Sequence, residues 1–338
     1  MLVIKTVDNK EIWEKFLLAQ PYQPFFQSWN WGEVQEGLKN RVLRLGVYDP
    51  STSSGLVGIC QITEVRAKRG CYFHLRHGPL LVNFKKQFPL LIAEIIKIAR
   101  AAKMDFIRMS PLLAEDFDIK FLQKRGFRNS PIHNMDAENA WILELNISEE
   151  ELLKQMRKTT RYLIKKGERS GLEITPAKST DDTKAFLKLY QRTAQKHGFV
   201  PHGGIGEEIE VFKKDGQAEL FLARYKKRII SGALVIFYGN QAVYHHGATD
   251  PKYEHLSPSY FLQWEAIKEA KRRGKKIYNF WGVVPPSKPH HPWQGLTLFK
   301  TGFGGRGVNF IHAQDLPLSP WYWKTFLIES IIRMRKGY

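Results

Sequence analysis

Gly55-Leu56-Val57-Gly58-Ile59-Cys60-Gln61-Ile62 is answered far along the chain by Ser231-Gly232-Ala233-Leu234-Val235-Ile236-Phe237. Working outward, Cys71-Tyr72-Phe73-His74-Leu75-Arg76-His77-Gly78 follows the first run, and Ala242-Val243-Tyr244-His245-His246-Gly247 follows the second. Each copy reads as a pair of strands. A helix-like run comes next in both, residues 90–103 and 260–273, closing on a basic residue just before a new strand at residues 105–109 and 276–280. The copies end near Gly126-Phe127 and Gly302-Phe303. Spacing held through successive elements points to duplication of one α/β unit, so two similar lobes with a cleft between them are expected rather than one large sheet.

The length of 338 residues suits two domains. A hydrophobic content of 43%, with 13% aromatic, excludes a disordered chain. No run approaches the roughly 20 apolar residues of a spanning helix. Residues 1–14 mix Lys, Asp and Glu with apolar residues and lack the charged start and apolar core of a secretion signal, so a cytoplasmic location is expected. Cys60 and Cys71 read as small buried thiols in a reducing compartment rather than as a disulfide. Lys and Arg number 52 against 33 Asp and Glu, giving a net charge of +19. Such a field recruits polyanions: nucleic acid, anionic lipid headgroups and phosphorylated small molecules all qualify, against a general basic surface bias as the plain alternative.

Residues 152–167 read as one helix, with Leu152, Met156, Leu163 and Ile164 on one side. Ser148 and Glu151 supply a capping box at its start. On another face Lys154, Lys158, Arg161 and Lys165 follow i, i+4, i+7, i+11 spacing, with Arg157 and Lys166 alongside. A stripe of this kind tracks a phosphate backbone or reaches a diphosphate, or it is a solvated face; both readings require the same periodicity. A second helix is expected to open at Ser257-Pro258, Ser257 as N-cap and Pro258 as first helical residue, with amides able to hold an anion. His77-Gly78-Pro79 offers a similar opening in the first lobe.

Other signals fail. Gly302-Phe303-Gly304-Gly305-Arg306-Gly307 matches the dinucleotide fingerprint in letters, but residues 308–311 read as a strand where that fingerprint needs a helix. His74 and His77, three apart in a strand, are expected on opposite faces, and His290-His291 lies in a proline-rich loop without a nearby Cys. No G-x-S-x-G elbow occurs. The expectation is therefore no metal, no cofactor and no covalent protein intermediate. Residues 320–335 combine aromatic and basic residues; a helix packed on the first lobe is preferred to one lying on a membrane.

Trp141-Ile142-Leu143-Glu144-Leu145, the basic run 156–166, residues 257–266, Tyr278-Asn279-Phe280-Trp281-Gly282 and Phe299-Lys300-Thr301-Gly302-Phe303-Gly304 occur in an order that resembles the FemABX family of aminoacyl-tRNA-dependent peptidoglycan bridge-forming transferases. Phe26-Gln27-Ser28-Trp29 extends the similarity toward the N-terminus. The resemblance implies two tandem GNAT-like (acyl-CoA N-acyltransferase-like) domains: residues 1–140, completed by the returning segment 313–338, and residues 141–312. It implies transfer of glycine, alanine or serine from tRNA to the stem-peptide amine of UDP-MurNAc-pentapeptide or lipid II, by a monomer with possible peripheral contact at the inner membrane face. Both reactants are polyanions, which gives the charge a use.

By the same resemblance Lys300 is the catalytic candidate, a cation that stabilises negative charge at the reacting centre. Gln35, Arg108, Ser110, His202, Tyr260 and Trp281 are expected to contact substrate, and Lys154, Lys158, Arg161 and Lys165 to contact tRNA or phosphate. The family pattern has a basic residue where Gln35 stands, an acid where Ser110 stands and an aspartate where Asn279 stands. Arg108 is the candidate to replace lost positive charge. The competing readings are a CoA-dependent N-acyltransferase on the same fold and a non-catalytic protein binding nucleic acid or a membrane surface.

Overall fold

The computed structural model describes residues 2–52, 55–134, 136–198, 200–285 and 290–337. The chain divides into two compact units, one of residues 1–139, 286–292 and 309–338, the other of residues 140–285 and 293–308.

The first unit opens with β1 (Val3–Thr6), α1 (Lys10–Leu18) and α2 (Trp29–Gly37), followed by β2 (Val42–Tyr48), β3 (Leu56–Ala67), β4 (Gly70–Arg76) and the short β5 (Leu80–Leu81). Then come α3 (Phe84–Ala101), β6 (Phe106–Ser110), α4 (Lys120–Gln123) and β7 (Arg128–Asn129). The second unit begins with β8 (Asn139–Glu144), α5 (Glu149–Gln155), α6 (Lys158–Arg169), β9 (Glu173–Pro176), α7 (Thr180–His197) and α8 (Ile205–Lys214). It continues through β10 (Ala218–Tyr225), β11 (Arg228–Tyr238), β12 (Gln241–Thr249), α9 (Pro258–Arg272), β13 (Ile277–Gly282), α10 (Gln294–Thr301) and β14 (Arg306–Asn309). The chain then returns to the first unit as β15 (Gln314–Pro317) and α11 (Tyr322–Arg335).

The repeat is carried by topology. In the first unit β3 and β4 run antiparallel, α3 crosses over, and β6 joins β4 in parallel. In the second unit β11, β12, α9 and β13 do the same. The parallel pairing spans Tyr72 to Arg76 in the first unit but stops at Val243 and Asn279 in the second. The strand order of one sheet is β1-β2-β3-β4-β6-β15-β7, with β5 on β3; that of the other is β14-β8-β13-β12-β11-β10-β9. β15 thus completes the first sheet by pairing Gln314 to Pro317 against β6.

Each sheet buries its own core under its crossover helix. Phe73, Leu75, Ile107 and Met109 meet Phe88, Leu91 and Ile95 of α3; Val235, Phe237, Tyr278 and Phe280 meet Leu262, Ala266 and Ile267 of α9. The i, i+3, i+7 spacing of the α3 residues, and the i, i+4, i+5 spacing of those on α9, put each set on the one side a helix turns to a sheet. The glycine-rich stretch after Lys300 leads into strand β14, as its rejection as a dinucleotide site requires.

Three local expectations are corrected. The basic run is two helices, α5 and α6, with Met156 and Arg157 extended between them (ψ 149 and 146). The Arg157 amide donates to Gly302 O at 2.9 Å, a partner outside the run, and this holds the break open. The capping box at Ser148 and Glu151 does form. Helix α9 begins at Pro258, but Ser257 takes a left-handed φ of 57° and makes no side-chain cap. His77-Gly78-Pro79 leads into β5 rather than a helix; α3 starts later, capped by the Asn83 side chain on the Lys86 amide.

Candidate functional site

Lys300 lies near the end of α10 and is 4% exposed. Its Nζ donates to Gly282 O at 2.6 Å, and no carboxylate pairs with it among the described residues. Burial brings its ammonium down from the ordinary 10.5 to about 7, because the charged form has lost water without gaining a counter-ion. Trp281, at a left-handed φ of 70°, immediately precedes the carbonyl that receives the lysine. Beside Lys300, Phe299 and Phe303 pack on Tyr260 at ring separations of 4.9 and 5.9 Å. A side chain on Gly302 would strike Arg157 and Thr160, and one on Gly305, at φ 90°, would strike the Ile142 backbone. These glycines therefore serve close backbone approach. The Arg157 guanidinium donates to Leu298 O and reaches Thr301 Oγ1 at 3.4 Å, which seats a cation at the end of α10.

Trp281 also meets His245 edge to face at 5.3 Å. His245 and His246 are neighbours in β12, yet both reach Glu208 of α8: His245 Nδ1 at 2.6 Å from Oε1 and His246 Nε2 at 3.3 Å from Oε2. The cause is a bulge. Leu234 pairs with His246 and Val235 with Tyr244, so His245 is the extra residue and its side chain is turned toward its neighbour's. The Glu208 carboxyl is held far below its usual range by the two imidazoles, against the opposing effect of burial. His202, exposed, places its ring 5.4 Å from His246. Glu208, His245 and His246 have donor atoms close enough to share a metal ion. The sequence reading weighed two other histidine pairs and missed this group, because adjacent strand residues normally face opposite ways.

In the first unit, Ser110 is buried at the end of β6 and its Oγ donates to Asp136 Oδ2 at 2.7 Å. Asp136, 6% exposed, pairs with the Arg76 guanidinium, whose Cζ lies 3.4 Å from the Phe26 ring centroid. His74 Nε2 is 3.7 Å from Asp136 Oδ2, and His77 Nε2 is 2.5 Å from its backbone oxygen. The expectation of opposite faces fails here because His77 lies beyond the end of β4 at a left-handed φ of 54°. Burial pushes His74 and His77 down to about 3 and 4, so both rings are neutral near pH 7. The Asp136 carboxyl is held well below the usual range by Arg76, overcoming its burial.

The remaining candidates separate. Gln35, half-buried on α2, accepts from Asn40 Nδ2 at 3.1 Å. Arg108, expected to face substrate, is 3% exposed and instead donates to both oxygens of Asp315 at 2.8 Å and to Glu329 at 2.8 and 3.3 Å. Two carboxylates from the returning segment consume its charge. Arg161 turns back on α5, donating to Met156 O at 2.6 Å and Leu153 O at 3.3 Å, and so caps that helix instead of extending a stripe. Lys154 pairs with Glu150 at 2.9 Å, while Lys158 and Lys165 are exposed on α6. Lys300, Tyr260, Trp281 and His202 thus belong to the second unit, and Gln35, Arg108 and Ser110 to the first.

The FemAB family profile matches residues 133–204 and 207–329, more than half of the chain. The chain belongs to the FemAB family. A FemX crystal structure superimposes with a TM-score of 0.78 at 17% identity, covering 99% of this chain and all of that one. A tandem GNAT protein from the clavulanic acid biosynthesis pathway superimposes at 0.61 and 11% identity over 95% and 99% of the two chains. These likenesses establish the fold as two tandem GNAT-like α/β domains. Lipid II:glycine glycyltransferase of Staphylococcus haemolyticus (strain JCSC1435) is 33% identical over 133 residues, 39% of this chain and 31% of that protein. The matched region thus spans about a third of that relative's length.

Proposed function

We propose that this FemAB protein is an aminoacyltransferase that moves a small amino acid, glycine, alanine or serine, from aminoacyl-tRNA to the stem-peptide amine of a peptidoglycan precursor. A relative named for glycyl transfer to lipid II supports both the reaction and a lipid-linked acceptor, with the soluble UDP-MurNAc-pentapeptide as the other form. A lipid-linked acceptor brings the enzyme to the membrane face that holds it. The observation that carries the reading is Lys300: a buried amine without a carboxylate partner among the described residues, in a segment whose glycines admit close backbone approach.

The chemistry asks little of the protein. The acceptor amine attacks the ester carbonyl carbon, a tetrahedral oxyanion forms, the ester C–O bond breaks, and the tRNA 3′ oxygen leaves with the proton the amine gives up. Alignment of the two reactants supplies about 7–11 kcal/mol, and one donor aimed at the oxyanion about 3 kcal/mol. Lys300 is that donor. With its proton affinity near pH 7 it also exchanges a proton at little cost. Tyr260, Trp281 and His202 line the same unit as substrate contacts, and the exposed Lys158 and Lys165 meet tRNA phosphates. In the first unit, the acid that the family pattern has at the position of Ser110 is supplied by Asp136, hydrogen-bonded to that serine.

The test is transfer of labelled amino acid from a mixture of charged tRNAs to lipid II and to UDP-MurNAc-pentapeptide, read by mass spectrometry. Transfer that disappears with ribonuclease supports the reading. Transfer that needs acyl-CoA and survives ribonuclease replaces it with a CoA-dependent acyltransferase.

A further inference from the structure

Helix α11 has two apolar faces, and only one of them is covered. Tyr322 and Thr325 are buried against the first sheet, with the Tyr322 ring 5.3 Å from Phe106 and its hydroxyl 3.3 Å from Asp315. Glu329, one turn further along that side, accepts from Arg108 at 2.8 Å. Trp323, Leu327, Ile331 and Met334 point elsewhere. At about 100° per residue these four fall within a stripe of roughly 80° on the side away from Tyr322 and Glu329. They are 48, 61, 36 and 68% exposed, and Trp321, just before the helix, is 69% exposed. A packed core helix needs one such face, and the second has no use inside this unit.

Charge identifies what covers it. From Trp321 to Gly337 the cations are Lys324, Arg333, Arg335 and Lys336, and the single acid, Glu329, is turned inward to Arg108. Lys324 and Arg335 are exposed beside the apolar stripe, and the Arg128 guanidinium lies 4.5 Å from the Trp323 ring centroid. Tryptophan and aliphatic side chains flanked by exposed cations suit the boundary between anionic headgroups and acyl chains.

We propose that the outer face of α11 is a membrane-docking surface, with Trp323, Leu327, Ile331 and Met334 entering the interface of an anionic bilayer and Lys324 and Arg335 meeting its headgroups. Glu329, tied to Arg108, fixes the rotation of the helix so that this stripe faces outward. The purpose assigned to docking rests on the lipid-linked acceptor proposed above; the docking itself does not.

The test is co-sedimentation of the full chain with phosphatidylcholine vesicles containing or lacking phosphatidylglycerol, with tryptophan emission recorded in parallel. Binding to the anionic vesicles is expected, with a blue shift, loss of binding at high salt, and a drop of at least about tenfold in Leu327→Glu and Met334→Glu. Both positions are exposed, so circular dichroism and melting should stay as in the wild type. Transfer from charged tRNA to UDP-MurNAc-pentapeptide and to detergent-solubilised lipid II is measured on the same samples: its absence from the wild type with both acceptors sinks the enzymatic reading and leaves docking standing. Wild-type protein that ignores anionic vesicles, variants that bind as well as wild type, or a wild-type dimer that Leu327→Glu dissociates each overturn the proposal.

Discussion

Lys300 Nζ donates to the carbonyl oxygen of Gly282 at 2.6 Å, so a buried amine is held by a neutral backbone group. Gly282 directly follows Trp281, whose left-handed backbone belongs to the end of β13, where pairing with β12 has already ceased. The amine is fixed in place while its charge stays unbalanced. Lys300→Ala is expected to lower kcat by about 100-fold to 1000-fold, the range for one oxyanion donor, with acceptor KM little changed. Steady-state transfer assays check this, and a KM effect alone would assign Lys300 to binding.

The burial of this amine gives a stability signature. Below pH 7 the amine is protonated in folded and unfolded chains alike, and folding bears the full cost of burying the charge. Between about 7 and 10.5 the unfolded chain keeps the proton while the folded chain has released it, so this lysine's penalty relative to a neutral side chain changes across that window and is settled only above it. In linkage terms the unfolded state binds more protons there, so stability rises with pH. Lys300→Met removes the titration at every pH. Its denaturation midpoint should exceed the wild type's most at pH 6 to 7, and the gap should narrow toward pH 10.

Asp136 gives a contribution that is lost in acid. Its folded carboxyl is held below the usual range by Arg76, so the stability it contributes is present above the unfolded value and fades as pH falls through the folded one. Asp136→Asn leaves Arg76 without its partner and is expected to cost about 3 kcal/mol at pH 7. Urea titrations should show the two proteins converging in acid.

Arg108 holds the returning segment to the first sheet through Asp315 and Glu329. Arg108→Met strands two carboxylates, one of them fully buried, and is expected to destabilise by about 3–5 kcal/mol. Loss of activity in this variant should track the unfolded fraction, in contrast to Lys300→Ala.

The basic residues of α5 and α6 should divide by role. Charge reversal at Lys158 or Lys165 is expected to leave the melting temperature unchanged and to reduce the salt slope of tRNA binding by about one for each phosphate left without its cation. Arg161→Ala is expected to cost about 1–2 kcal/mol because α5 is no longer capped. Filter binding over a salt series and thermal melts separate the two.

The chain's sequence alone determined the duplicated strand, strand, helix, strand unit, because hydrophobic periodicity and the punctuation around it act over a few residues and appear twice. It determined Pro258 as the start of α9 and the capping box at Ser148 for the same reason: the partners lie within one turn. It also carried the family motif around Lys300. Tertiary structure decided what depends on partners far apart in sequence. The helix break at Arg157 answers to Gly302, Arg108 is claimed by Asp315 and Glu329, and Ser110 meets Asp136. Glu208 gathers two neighbouring histidines because a bulge cancels the alternation that strand reading assumes. Local pattern fixes which elements form, whereas the direction and charge balance of a side chain are set by whatever the fold brings against it.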